Sequence, residues 1–145
     1  MRKFVAACLL VAYLALLFDL TLFRFLRPGS PMNLVPFRTI RHDLGVGGWE
    51  LVVNGLGNLV AFAPMGVLPP ILLGRRCSTA WRVAGLSFGL SLVIEISQGL
   101  SGSRVADVDD LTLNTLGGLI GHGARVAVRR RIGWRRSATE PGGGR

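Results

Sequence analysis

Four apolar stretches in this chain each come close to the length of a bilayer crossing, and their polar residues gather at one end. Phe4–Phe23, Leu51–Leu73, Val83–Leu100 and Leu111–Val128 contain 20, 23, 18 and 18 residues, where a spanning helix needs roughly 20. Asn54 and Asn58 open the second stretch, Glu95 and Gln98 close the third, and Asn114 lies near the start of the fourth. A chain that crosses back and forth puts all five in the same leaflet. Polar side chains are costly in hydrocarbon, so a shared depth marks them as a candidate site. The pattern predicts an all-α integral membrane four-helix bundle.

The charge distribution supports the same reading. Seventeen Lys and Arg against eight Asp and Glu would suggest nucleic acid in a soluble chain. With the amino terminus in the cytoplasm, twelve of those seventeen cations fall on cytoplasmic segments: Arg2, Lys3, Arg75, Arg76, Arg82, Arg125, Arg129, Arg130, Arg131, Arg135, Arg136 and Arg145. The other five, Arg24, Arg27, Arg38, Arg41 and Arg104, are offset by Asp43, Glu50, Asp107, Asp109 and Asp110. The positive-inside rule then predicts a multi-pass cell-membrane protein with both termini cytoplasmic and no nucleic-acid partner. Residues 1–128 would form the membrane domain and 129–145 a basic, disordered tail. The first stretch exceeds a signal-peptide core of about 7–15 residues and no small-x-small cleavage site follows it, so it reads as a retained helix.

Cys8 in the first span and Cys77 in a loop cannot meet, and neither has a metal-ligand companion, so no disulfide, metal or cofactor is expected. His42 and His122 are isolated, which favours surface or packing roles. Between the first two spans, Pro28, Gly29, Pro31, Pro36 and Gly45–Gly48 rule out one long helix, and Asn33–Phe37 forms a short apolar patch. The second span ends with Pro64, Pro69 and Pro70, so it should kink and stop near the cytoplasm. In the third, Ser87, Ser91, Glu95 and Gln98 make one polar stripe. In the fourth, Gly117 and Gly121 make a small-xxx-small pair suited to close packing. Asp109 and Asp110 suit a helix amino terminus, where one of them would cap free amides.

These residues together resemble the VanZ-like membrane proteins, whose namesake accompanies glycopeptide (teicoplanin) resistance. The likeness runs from Thr21-Leu22 and Arg24 through Asn33-Leu34-Val35-Pro36-Phe37, and through Asn54 and Asn58 ahead of Phe62-Ala63-Pro64-Met65-Gly66. It continues in Glu95-Ile96-Ser97-Gln98, Arg104, Asp107-Val108-Asp109-Asp110 and Asn114-Thr115-Leu116-Gly117. Each motif is weak alone; their order and spacing make the combination specific. The resemblance implies a small helical bundle of the cell envelope associated with lipoglycopeptide resistance, and it implies no particular reaction.

The candidate ligand-binding residues are Asn33, Asn54, Asn58, Glu95, Gln98, Arg104, Asp107, Asp109, Asp110 and Asn114, in a polar pocket open to the outer surface. Arg104 would hold the acids by bidentate pairing or contact a phosphate, and the neutral amides would supply hydrogen bonds. Glu95 and Asp110 are the catalytic candidates if a reaction occurs. Three functional classes fit. One is a non-catalytic module for a membrane lipid or a polyprenyl-linked cell-wall precursor. Another is an enzyme on a lipid headgroup, with the acids as acid-base pair or metal ligands. The last is a small proton-coupled lipid transporter, for which a domain this small offers little to rock against unless it oligomerises. The first class is preferred because the pocket has no clear nucleophile and no histidine. Against all three stands a network that only locks helices together.

Overall fold

The structure is a computed structural model that describes residues 1–21, 33–101 and 107–139, with backbone alone for Glu50, Leu51, Asn54, Arg75, Ser101 and 133–139. Within the described residues the chain is all-helical. Five α-helices follow in order: α1 (Arg2–Asp19), α2 (Arg38–Gly45), α3 (Trp49–Leu73), α4 (Ala80–Ser101) and α5 (Val108–Thr139). A 3₁₀ turn over Gly74–Cys77 links α3 to α4. Helices α3 and α4 contain the segments Gly55–Leu73 and Ala80–Leu100, both long and apolar enough to cross a membrane. The charges of α1 and α5 lie mainly toward their ends, with Arg2, Lys3 and Asp19 on one and the acids and arginines on the other.

Helix α3 touches every other helix, and α5 is its main partner. Helix α5 also packs on α4, while α1 leans on α3. The α3–α5 contact is a backbone contact made possible by glycine. A Cβ added at Gly117 would run into the backbone of Leu59, one at Gly121 into that of Ala63, and one at Gly66 into the backbone of Gly118 and His122. Leu59 and Ala63 are themselves one turn apart, so the small-xxx-small face meets a matching face on α3. Without a hydrophobic drive between helices in lipid, dispersion at such close approach is a main source of association. Gly118 turns to the other side, where a Cβ would meet the Ser87 side chain on α4.

The three prolines lie inside α3, which is helical to Leu73. A proline ring disturbs the carbonyls of the preceding turn, and neighbouring helices can re-satisfy them. Tyr13 of α1 bonds into the same stretch of α3, its hydroxyl donating to the Ala61 carbonyl at 2.8 Å. Around this contact Leu17, Phe62, Met65 and Ile94 form a small apolar core.

The tail expected to be disordered from residue 129 is helical as far as Thr139. Arginine and alanine are good helix formers, and no proline intervenes before Pro141. The exterior is apolar on every side: Phe4, Leu9, Val60, Phe88, Val93, Ile96 and Ile120 are among the exposed residues, whereas Ser87, Ser91, Glu95, Gln98, Asp110, Asn114 and His122 are buried. Polar inside and apolar outside is an arrangement suited to a membrane, where exposed apolar side chains carry no penalty.

The glycine contact yields a direct comparison. Gly121→Leu should cost about 1–3 kcal/mol or more through overpacking, whereas Gly123→Ala, at a site with nothing within 4 Å of the new Cβ, should be neutral or gain up to ~1 kcal/mol in helix propensity. Thermal unfolding of both variants in detergent measures the difference.

Candidate functional site

At the end of the bundle where α3 begins and α4 ends, a clasp ties the segment after α1 to the start of α5. Asn33 and Asp107 pair as a short parallel bridge, with the Val108 amide donating to the Asn33 carbonyl at 3.1 Å. Their side chains repeat the contact: Asn33 Nδ2 donates to Asp107 Oδ1 and to Thr39 Oγ1, both at 2.9 Å. The Thr39 hydroxyl in turn donates to Asp107 Oδ2 at 2.5 Å. Asn33 Oδ1 also accepts from the Val35 amide at 3.2 Å, an Asx turn that sets the loop's direction.

The two aspartates divide the capping work. Asp107 precedes α5 and accepts the Asp109 amide at 2.9 Å, so it is the amino-terminal cap of its own helix. Asp109 serves a different helix. Its carboxylate accepts the amides of Phe37 at 2.5 Å, Thr39 at 2.9 Å and Ile40 at 3.3 Å, which are the free donors at the start of α2. Phe37 precedes α2 in the left-handed region, with φ 64°, and its side chain has no oxygen to cap with. A carboxylate from α5 replaces the missing local cap and meets the positive dipole end of α2.

Beneath the clasp a second layer joins the long helices. Glu95 Oε2 on α4 accepts the Asp107 amide at 2.8 Å. Asn58 Nδ2 on α3 donates to Asp110 Oδ1 at 2.6 Å, and Asn114 Nδ2 on α5 donates to Ser91 Oγ at 2.8 Å. Gln98 Nε2 reaches the carbonyl of Thr21, just beyond α1, at 2.8 Å. Glu95, Gln98, Asp110 and Asn114 are each exposed by 6% or less, so these groups sit inside the bundle and not on its rim. Outside it, between α4 and α5, runs a groove of about 390 Å³ whose walls include Phe88, Val108, Leu111, Leu116 and Leu119. Thr112 and Thr115 line it too, but their hydroxyls turn back to the carbonyls of Val108 and Leu111. The groove therefore offers hydrocarbon alone, and it begins beside Asp107.

Of the residues singled out from sequence, Asn33, Asn58, Glu95, Gln98, Asp107, Asp109, Asp110 and Asn114 come together at this end. Asn54 lies in the second turn of α3 with its side chain outside the described residues, and Arg104 lies outside them altogether. Sequence reasoning missed Thr39, which bridges Asn33 and Asp107, and the buried Asp43, whose carboxylate lies 3.4 Å from His42 Nδ1. Thr39 could have been suspected only as the third residue after a proline. Among the described residues, no three His, Cys, Asp or Glu gather as a metal site would require.

A polar interior layered under a capped loop, with many apolar side chains exposed around it, defines an all-helical protein with a buried polar centre near one end and two helices long and apolar enough to cross a membrane. The chain belongs to the VanZ/LLP1 family, whose model matches residues 9–129. That span takes in the clasp, the second layer and nearly all of the glycine-packed bundle. No curated protein and no solved structure matches the chain.

The clasp can be tested by itself. Asp109→Ala should leave three amides of α2 without an acceptor and cost about 1–3 kcal/mol. Hydrogen exchange at Phe37, Thr39 and Ile40 should accelerate well before the amides in the middle of α3 and α5.

Proposed function

We propose that the chain is a four-span module of the cell envelope membrane, with both termini cytoplasmic, that binds an envelope lipid or polyprenyl-linked wall precursor without transforming it. The observation that carries this reading is the cluster of Asn58, Glu95, Gln98, Asp110 and Asn114, contributed by three helices near one end of the bundle, with all but the half-buried Asn58 fully buried. Polar groups of that kind are expensive within a membrane and are kept where they meet a ligand. The neighbouring hydrocarbon groove supports a lipid over a free headgroup, because a chain lying in it would start beside Asp107. Arg104, three residues before Asp107, would contact the phosphate of such a ligand or steady the acids, and Asn54 would add a further amide.

The acids also argue for binding over catalysis. Asp107 and Asp109 spend their oxygens on the clasp, and Glu95 accepts a backbone amide. An acid-base pair would need oxygens directed at a substrate. In this reading the arginine-rich end of α5 is the cytoplasmic flank that fixes orientation, and a link to glycopeptide resistance would follow from occupancy of a wall precursor.

Native mass spectrometry of the wild type and Arg104→Ala, prepared side by side, is the test. The expected result is a co-purifying phosphate-bearing lipid on the wild type that is at least about tenfold depleted in the variant, as loss of a charge-assisted contact of about 1.5–3 kcal/mol implies. Identical lipid content in both, or turnover of a lipid phosphate abolished by Glu95→Gln, would overturn the binding reading. Orientation has its own check, a cytoplasm-active reporter fused after Arg145, which should be active.

A further inference from the structure

Asp109 is 2% exposed, yet the segment it holds turns its apolar side chains outward. Leu34, Val35 and Phe37 are 70%, 57% and 53% exposed, and their backbone is pinned. The Val35 amide donates to Asn33 Oδ1, the Phe37 amide to Asp109 Oδ1 and the Arg38 amide to the Val35 carbonyl. Among the described residues Phe37 is the one non-glycine with positive φ, at 64°. That conformation is uncommon for a bulky side chain, and glycine or asparagine would adopt it at less cost. Strain kept at an exposed position points to a use for the side chain that bears it.

The surroundings of this tip are cationic. Arg38, Arg41 and His42 lie exposed along α2, whereas Thr39, Ile40 and Asp43 turn toward the bundle. Neither arginine pairs with an acid among the described residues. Trp49, which opens α3, is 71% exposed and precedes the apolar segment that begins at Gly55 by about 9 Å at 1.5 Å per residue. In a spanning chain that is the headgroup layer, where tryptophan collects. Apolar tips that reach below the phosphates, beside arginines level with them, make up a segment lying in that layer. The tip also adjoins the α4–α5 groove, because Val108, one of its wall residues, donates its amide to the Asn33 carbonyl.

We infer that segment 34–37 is a rigid anchor inserted among the outer-leaflet acyl chains, with Arg38 and Arg41 on the lipid phosphates above it. Guanidinium groups without acids, set beside exposed hydrocarbon, match an anionic lipid surface, which supplies a partner for each. Held this way, the anchor fixes the mouth of the groove at the level of the lipids it would admit. The inference rests on the spanning reading and not on the identity of any bound ligand.

The test uses the full chain in liposomes of phosphatidylcholine and phosphatidylglycerol, with Cys8→Ala and Cys77→Ala leaving one introduced cysteine to carry an NBD dye. At Leu34→Cys and Phe37→Cys the dye should emit blue-shifted light. Doxyl groups high on the acyl chain should quench it more than deep ones. Val60→Cys, at an exposed position in the middle of α3, should show the reverse order. Water-like emission without quenching at 34 and 37, beside a quenched Val60→Cys, overturns the anchor alone. Loss of quenching at all three positions overturns the spanning reading along with it. Arg38→Glu combined with Arg41→Glu should lift the tip, which shifts the dye to the red and weakens its quenching; unchanged signals would overturn the part given to the arginines.

Discussion

The direct backbone contact between α3 and α5 determines what can happen above it. Gly117 and Gly121 on one helix, and Gly66 on the other, let two helical backbones touch where any side chain would hold them apart. With the helices so close, Asn58 and Asp110 can bond at 2.6 Å although 52 residues separate them. A methyl group inserted lower down would lever these groups apart, because packed helices respond to volume by shifting as rods. The polar layer therefore depends on residues that have no polarity and never touch it.

The second organising element is the loop that carries Asn33. Segments outside regular structure have free amides, and within reach of a membrane those amides must find acceptors. The chain answers with carboxylates taken from the start of α5. Asp109 alone accepts three of them, and the loop is thereby tied to α5. Since Asp107 also presents its amide to Glu95, the loop, α4 and α5 share one hydrogen-bonded junction. A ligand that disturbed Glu95 would be felt in the loop through two bonds.

Much of this was legible in the sequence because the cost of polarity in hydrocarbon makes every exception conspicuous. Asn58, Glu95, Asp110 and Asn114 stand out against Leu, Val and Ile, and their positions near the ends of apolar stretches imply a shared depth. The glycine pair on α5 was legible for the same reason. What stayed hidden are pairings that depend on three-dimensional register. Asp109 looks like the cap of its own helix, a local role, yet it caps α2 some 70 residues away while Asp107 does the local work. Thr39 sits among ordinary loop residues and nothing in its neighbours announces a bridge. The helical tail was misjudged because an abundance of charge was weighed more heavily than the helix-forming tendency of arginine itself.

Four carboxylates within a few turns of each other could have been expected to repel, and their arrangement shows how that is avoided. Asp109 is neutralised in effect by three backbone amide dipoles, and Asp107 by one backbone amide together with the Asn33 side-chain amide and the Thr39 hydroxyl. Glu95 meets one such amide, and Asp110 a neutral side-chain amide. The acids nearest the loop are committed to the clasp, Asp109 through three backbone amides and Asp107 through Asn33, Thr39 and the first turn of its own helix. A side-chain amide such as Asn58 can rotate to offer its oxygen instead of its nitrogen, so the Asn58–Asp110 pair can accept either protonation state of the acid. The clasp has no such freedom, because backbone amides only donate. Loss of charge at Asp109 would leave three amides without an acceptor and open the loop, whereas the Asn58–Asp110 pair can adapt by turning the amide.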